Sequence, residues 1–313
     1  MLSQCLELEA CRYDGHRIRD SFVARLLEHV DVIPVCPEVE IGLGTPRATI
    51  RLVNQEGTTR LMQPSSQEDL TERMVQFTRR FLDGLKGVDG FVLKSGSPSC
   101  GTGDVKVYSK MERSPMVRRE SGLFARAVLD QFDELAIEDE GRLRNFDIRH
   151  HFLSSLFALA DLRLFLESPT KARLVDFHRR HKHLLFLYDE PGMRELGRIV
   201  ANNDGRPFDE VLEKYGERFR KSLKRQPRRR AHLNVLMHIY GHFKTYLTDG
   251  ERHEFLQLLD EVSEHHLSLN APLSVIRTWC ARFEYAYMAD QSYLHPYPRQ
   301  LIMMRDSGKG FDF

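Results

Sequence analysis

The chain has 313 residues, long enough for two ordinary domains. Its 46 Lys+Arg and 45 Asp+Glu nearly cancel, which argues against a histone-like polycation and against an acidic disordered chain. No run approaches the roughly 18 apolar residues of a membrane span, and the amino terminus lacks a basic stretch followed by an apolar one, so a soluble, cytoplasmic protein without a membrane partner is expected.

Taken in order, the first half alternates short apolar runs with amphipathic segments, the pattern of a parallel sheet with crossover helices. Strands are expected at 1–4, 31–36 (DVIPVC), 90–94 (GFVLK) and 134–138 (ELAIE), and helices at 20–28, 68–85 and 121–131. This predicts an α/β domain over 1–145 with an open, mostly parallel, Rossmann-like sheet. From Phe146 the texture changes to long helical patterns, which predicts an all-α domain over 146–313. Ser168-Pro169 reads as a cap and first-turn proline opening a helix that runs to Tyr188 and is ended by Pro191-Gly192. Further helices are expected at 192–201, 207–224, 229–247, 250–266 and 272–290.

Five cysteines, an odd number, make a poor disulfide framework for a chain of this size. Cys5, Cys36 and Cys100 each follow a predicted strand, and in open α/β sheets ligands bind outside the carboxyl ends of the strands. Three cysteines far apart in sequence are therefore expected to meet at one sheet edge. The plainer alternative is burial as small apolar residues, but their neighbours are Gly, Pro and charged residues rather than apolar runs. Thiolates are the usual ligands of iron-sulfur clusters, with zinc the rival metal, although no CxxC pair occurs. Glu38 lies two residues after Cys36, so the loop that delivers a thiolate also places a carboxylate beside it, a candidate acid/base.

Four stretches carry a resemblance: Ser3-x-Cys5-Leu6 with Cys11-Arg12-Tyr13-Asp14-Gly15; Pro34-Val35-Cys36-Pro37-Glu38; Gly42-Leu43-Gly44-Thr45-Pro46-Arg47; and Lys94-Ser95-Gly96-Ser97-Pro98-Ser99-Cys100-Gly101. In order and spacing they resemble the thiouracil desulfidase family across about 145 residues. The resemblance implies a 4Fe-4S cluster held by three cysteines, with one iron left open to the sulfur of a thiolated pyrimidine. Cys5, Cys36 and Cys100 are the expected ligands, and Cys11 stands as a further thiol or alternate ligand. A functional serine is implied in the last stretch, Ser97 or Ser99. Thr45, Arg47 and Lys94 are the expected contacts of a nucleotide phosphate. Where small residues and glycine commonly follow the family's first cysteine, this chain has Leu6-Glu7.

The carboxy-terminal half resembles a helical domain often fused to thiouracil desulfidases. The matching stretches are His181-Lys182-His183, Tyr188, Lys221-Ser222-Leu223, His232 to His242-Phe243, and His295-Pro296-Tyr297-Pro298. In the fused form the resemblance points to tRNA containing 4-thiouridine as partner. Charge distribution agrees: residues 1–145 carry 20 basic and 23 acidic side chains, whereas residues 146–313 carry 26 and 22, with 12 of the 14 histidines. His181, Lys182, Arg228, Arg229 and Arg230 are the expected phosphate contacts, and Tyr188, Tyr240, Tyr246 and Tyr293 are stacking faces unless they belong to the core. His238 and His242, one helical turn apart, can share a metal, but no third ligand is placed by the sequence, so a phosphate-facing groove is the preferred reading. The expected activity is removal of sulfur from 4-thiouridine in tRNA. The alternatives are the same chemistry on free thiouracil or 4-thio-UMP, or a non-catalytic iron-sulfur or zinc module that senses thiolated RNA.

Overall fold

The structure is a computed structural model in which residues 1–112 and 114–302 are described. The chain forms two compact units, one comprising Met1–Leu156 with the described residues from Pro298 onward, the other Phe157–Tyr297. The division falls inside a long helix rather than at residue 145.

The first unit is built on a four-stranded, all-parallel sheet of β1 (Leu2–Ser3), β2 (Pro34–Val35), β6 (Gly90–Leu93) and β9 (Ala136–Asp139), in the order β2-β1-β6-β9. These are the four expected strands, with β2 trimmed to two residues. Phe91, Val92 and Leu93 are buried, as expected of a strand covered on both faces. The expected helices appear as α1 (Ser21–Leu26), α3 (Thr71–Asp83) and α4 (Leu123–Gln131). Asp20 caps α1 by accepting from the amides of Phe22 and Val23.

A second sheet was not among the expected elements. It is mixed, in the order β5 (Glu68–Asp69), β4 (Thr58–Gln63), β3 (Arg51–Gln55), β7 (Val105–Tyr108) and β8 (Met116–Glu120). Its β3–β4 hairpin turns on Glu56 and Gly57, both at positive φ, where glycine carries no Cβ penalty. Leu52 with Val53 and Leu61 with Met62 are buried as adjacent pairs, so these strands lack the apolar/polar alternation that marks a half-buried strand. Leu52, Leu61 and Val107 of this sheet share one core with Phe91, Leu93, Phe77 and Phe124.

The second unit is entirely helical among its described residues. Helix α5 (Phe146–Glu167) leads into it, followed by α6 (Lys171–Tyr188), α7 (Glu190–Ala201), α8 (Phe208–Leu223), α9 (Arg229–Phe243), α10 (Asp249–Ser263), α11 (Asn270–Arg282) and the short α12 (Ala286–Ala289). Two boundary expectations are corrected. Thr170 caps α6, accepting from the Arg173 amide at 3.2 Å, so Ser168-Pro169 is only the break after α5. Asp189 ends α6 and caps α7, leaving Pro191 and Gly192 in the first turn of α7, where the missing proline N–H needs no partner. The core is aromatic: Phe177 lies 5.2 Å from both Phe165 and Phe219, and Phe255 lies 4.7 Å from Trp279, ring centre to ring centre.

Candidate active site

The strand order dictates where the site lies. From β1 the chain steps one way to β2 and later returns to the opposite side of β1 as β6, so the β1/β6 boundary is a topological switch point, where loops diverge and leave a crevice. Cys5 follows β1, Cys36 follows β2, and Ser97 through Cys100 follow β6. All line a single cleft of about 600 Å³, except Ser99, which is fully buried behind it. That volume is within the usual range for a small-molecule site.

Cys5, Cys36 and Cys100 are brought together, and Cys11 with them. The Cys36 thiol reaches the Cys11 carbonyl at 3.8 Å, and the Cys36 and Cys5 thiols both act on the ionisation of Cys11. Cys11, Cys36 and Cys100 are buried; Cys5 is half-buried. All four thiols are free. Hydrogen bonding to Cys11 and then burial push the Cys36 thiol far above its ordinary range, and burial does the same to Cys100. At Cys11 the Cys36 hydrogen bond lowers the pKa, but Cys5 and burial outweigh it and leave the value at about 11. Several thiols held in a buried recess resist ionisation unless a cation compensates them, and a soft metal centre is the natural occupant of such a donor set.

Beside the thiols stands Glu38. Pro37 opens α2 (Pro37–Glu40) with Cys36 as its cap residue, which places Glu38 in the first turn. Glu38 Oε1 accepts from Ser97 Oγ at 3.2 Å and Ser99 Oγ at 3.0 Å. Its Oε2 accepts from Arg47 Nε at 3.0 Å and Nη2 at 2.5 Å. Ser97 Oγ in turn accepts from the amides of Ser99 and Cys100, at 3.2 and 3.1 Å, and so shapes the turn that carries Cys100. Ser97 lines the cleft and Ser99 does not, which separates two serines that the sequence leaves equivalent.

Arg47 and Lys94, expected as phosphate contacts, are already engaged. The Arg47 side chain is only 4% exposed and donates to the carbonyls of Cys11 (2.9 Å) and Gly44 (2.8 Å) as well as to Glu38. Burial lowers its pKa, yet the adjacent Glu38 carboxylate raises it further, so it stays charged. It is a clamp that joins the Cys11 loop to the Glu38 turn. Lys94 Nζ pairs with Glu140 at 2.5 Å, and Glu140 also accepts from the Ser95 amide at 2.7 Å. Thr45 precedes a cis peptide to Pro46, accepts from Arg47 Nη1 at 3.4 Å, and does not line the cleft. Arg47 and Lys94 nonetheless line the cleft, as do Arg12, Arg51, Lys106 and Arg119. Three of these sit on the second sheet, so they were invisible without it. Arg51 stacks over Tyr108 at 4.9 Å and Arg119 donates to the Asp104 carbonyl at 3.2 Å.

In the helical unit, His181 is corrected from a phosphate contact to an interior residue. It is 2% exposed, lies against Asp161 at 2.8 Å and Ser292 at 2.9 Å, and packs on Phe177. Tyr240 and Tyr293 are core residues, whereas Tyr246 is exposed. Arg229 donates to the Val262 carbonyl at 2.9 Å and thereby secures α9 to α10. Lys182, Arg225, Arg228 and Arg230 are exposed. No helix among the described residues is long and apolar enough to cross a membrane.

Both halves of the chain match known protein families. The 2-thiouracil desulfurase family matches residues 1–140, and a protein family of unknown function, DUF1722, matches residues 182–298. The uncharacterized protein YbgA of Escherichia coli (strain K12) is 32% identical over 158 residues, which are 50% of this chain and 93% of that protein. The uncharacterized protein YbbK of Bacillus subtilis (strain 168) is 29% identical over 110 residues, 33% of this chain and 73% of that protein. A solved structure of the [4Fe-4S]-dependent thiouracil desulfidase TudS is 26% identical and covers 45% of this chain and 90% of its own, with a TM-score of 0.35. With its cysteine cleft inside the matched region, the amino-terminal part of the chain, residues 1–140, belongs to the 2-thiouracil desulfurase family, joined in one polypeptide to a region that matches DUF1722.

Proposed function

We propose that this protein is an iron-sulfur desulfidase that removes sulfur from 4-thiouridine in tRNA, consuming one water and yielding uridine and hydrogen sulfide without net oxidation or reduction. The observation that carries the reading is the meeting of the cysteine thiols with a serine- and arginine-held carboxylate in one cleft at the switch point of a parallel sheet. Cys5, Cys36 and Cys100 would hold a 4Fe-4S cluster, with Cys11 as a fourth thiol lining the same cleft. The cluster, when bound, supplies an open iron that acts as a Lewis acid toward a soft thiocarbonyl sulfur.

The chain's own residues supply positioning and proton handling. Glu38 takes a proton from the water that attacks the ring carbon, and returns it as the sulfur leaves. Arg47 and the two serine hydroxyls fix the carboxylate's orientation, with Ser97 the one that faces the cleft. Arg12, Arg51, Lys106 and Arg119 offer positive charge to the nucleotide's phosphate. In the helical unit, exposed Lys182, Arg225, Arg228 and Arg230 support contact with the phosphates of a larger RNA.

The test is anaerobic reconstitution of the full chain, followed by incubation with bulk tRNA or with 4-thio-UMP while 4-thiouridine absorbance and sulfide are measured. Loss of absorbance from tRNA with matching sulfide is expected. Sulfide from 4-thio-UMP alone would transfer the activity to mononucleotides, and sulfide from neither would leave a sensor. Changing Arg225, Arg228 and Arg230 to Gln should weaken tRNA binding and flatten its salt dependence, because fewer counterions are released, while turnover of 4-thio-UMP is retained. Arg229 is left intact in this variant because it supports the fold.

A further inference from the structure

Away from the cysteine cleft, the helical unit gathers three imidazoles. His238 and His242 lie four residues apart on one face of α9, and α6 places His183 opposite them. One nitrogen from each lies within 4.8 Å of the other two. The third ligand is thus supplied by a helix some fifty residues upstream, which no local spacing could announce.

The independent observation is an orphaned atom. Among the described residues, His183 Nε2 is one of only four buried side-chain nitrogen or oxygen atoms without a hydrogen-bond partner. Buried polar atoms are nearly always satisfied, and this one faces two further imidazoles. Its tautomer is also fixed. Gln291 is fully buried, and its Nε2 donates to the carbonyls of Arg179 at 2.9 Å and Tyr287 at 3.3 Å, so its Oε1 must face His183. Oε1 lies 2.7 Å from His183 Nδ1, which therefore carries the proton. That leaves Nε2 as a bare lone pair. A histidine that ligates a metal through one nitrogen while its other N–H is held by an acceptor is the usual outer-shell arrangement. Tyr285 Oη stands 3.3 Å from His242 Nδ1, a similar hold on the second ring.

We propose that His183, His238 and His242 form a binding site for one divalent first-row transition cation, of which zinc is the representative, with a fourth position open to solvent. Three neutral nitrogens suit zinc, copper, nickel or iron and not the hard cations, which take oxygen ligands. Tetrahedral zinc with bonds of about 2.0–2.1 Å brings its nitrogens to about 3.4 Å apart. Side-chain rotation of exposed His238 and half-exposed His242 closes that difference, and burial holds His183 as the anchor. A cation here cross-links α6 to α9. The proposal is independent of the desulfidase reading, since none of its residues lies in the 2-thiouracil desulfurase match.

The test uses the full chain equilibrated with Co²⁺ or Zn²⁺ and then freed of loose metal. Cobalt separates this site from the cysteines, because thiolate coordination adds intense near-ultraviolet charge-transfer bands that imidazole nitrogens do not give. Wild type is expected to show visible ligand-field bands that are lost in His242→Gln and in His183→Gln, with any thiolate band unchanged. The same variants should lose about one zinc per chain by elemental analysis. Zinc should raise the thermal midpoint of wild type and leave that of His242→Gln unmoved. His242 is half-exposed, so its variant is expected to fold, and circular dichroism checks that. Equal metal content and equal ligand-field bands in folded wild type and His242→Gln would overturn the site.

Discussion

Glu38 shows how much a single side chain depends on its surroundings. Both of its oxygens are occupied by three donor side chains from two separate segments, so its position is dictated by Arg47, Ser97 and Ser99 as much as by the backbone of α2. Glu38→Gln leaves every thiol in place and removes the proton acceptor. Reconstituted variant protein should keep its iron and sulfide content and lose turnover by roughly a hundredfold or more. It should also melt earlier, because Arg47 is left as a buried charge without its partner, a defect that costs about 3–5 kcal/mol where burial is complete. Turnover at the wild-type rate would remove Glu38 from the chemistry. The cysteines differ among themselves in the same way. If Cys5, Cys36 and Cys100 are the ligands, Cys36→Ser should abolish cluster retention, whereas Cys11→Ser should retain most of its iron. Equal loss in both variants would promote Cys11 to a ligand.

At the scale of elements, the site depends on how the Ser97–Gly101 loop is strapped to the start of α4. The first amides of a helix lack intrahelical partners, and here loop carbonyls accept them: Leu123 donates to Pro98 at 3.2 Å and Ala125 to Ser99 at 3.0 Å. Gly122 donates to Gly101 at 2.8 Å from a position where an added Cβ would lie 2.4 Å from the Ser99 carbonyl. Gly122 has an ordinary negative φ, so the need is for space rather than for an unusual dihedral. Gly122→Ala should therefore push the loop, and Cys100 with it, away from the helix. Iron content should fall while the helical unit's circular dichroism persists, and the first transition in a melt should lose about 1–3 kcal/mol, as overpacking does elsewhere. Full iron loading in this variant would show that the loop tolerates displacement. A helix start and a strand end were both legible in GFVLK and in the amphipathic 121–131 segment. That one closes upon the other was not, because the contact joins backbone to backbone and leaves no side-chain signature.

Over the whole molecule, half-buried histidines set an acid limit. Burial lowers the pKa of His150, His151 and His178 to about 4 each, below the ordinary value near 6.5. Between those two values the unfolded chain binds more protons than the folded one, so stability falls as pH falls through that window, and the loss is complete below about pH 4. Thermal midpoints measured at pH 7, 6, 5 and 4 should decline steadily. A flat profile from pH 6.5 to 4 would mean that these rings are solvated in the native state.

The sequence by itself determined the class of both halves, the four strands of the parallel sheet, and the cysteines and carboxylate that follow them, because strand ends and local loop motifs are written in consecutive residues. It also carried the charge asymmetry, which needs only counting. Tertiary structure alone decided which charged groups remain available. Arg47, Lys94, His181 and Arg229 read as contacts for a polyanion, yet each is held by a partner 9, 46, 20 and 33 residues away in the chain. Arg51, Lys106 and Arg119 are not legible as site residues in the sequence because they reach the cleft through a sheet whose paired buried residues disguise its alternation, and His183 is not because it completes a trio across two helices. Residue type and spacing specify what a side chain can do; only the packing of distant segments specifies whether it is free to do it.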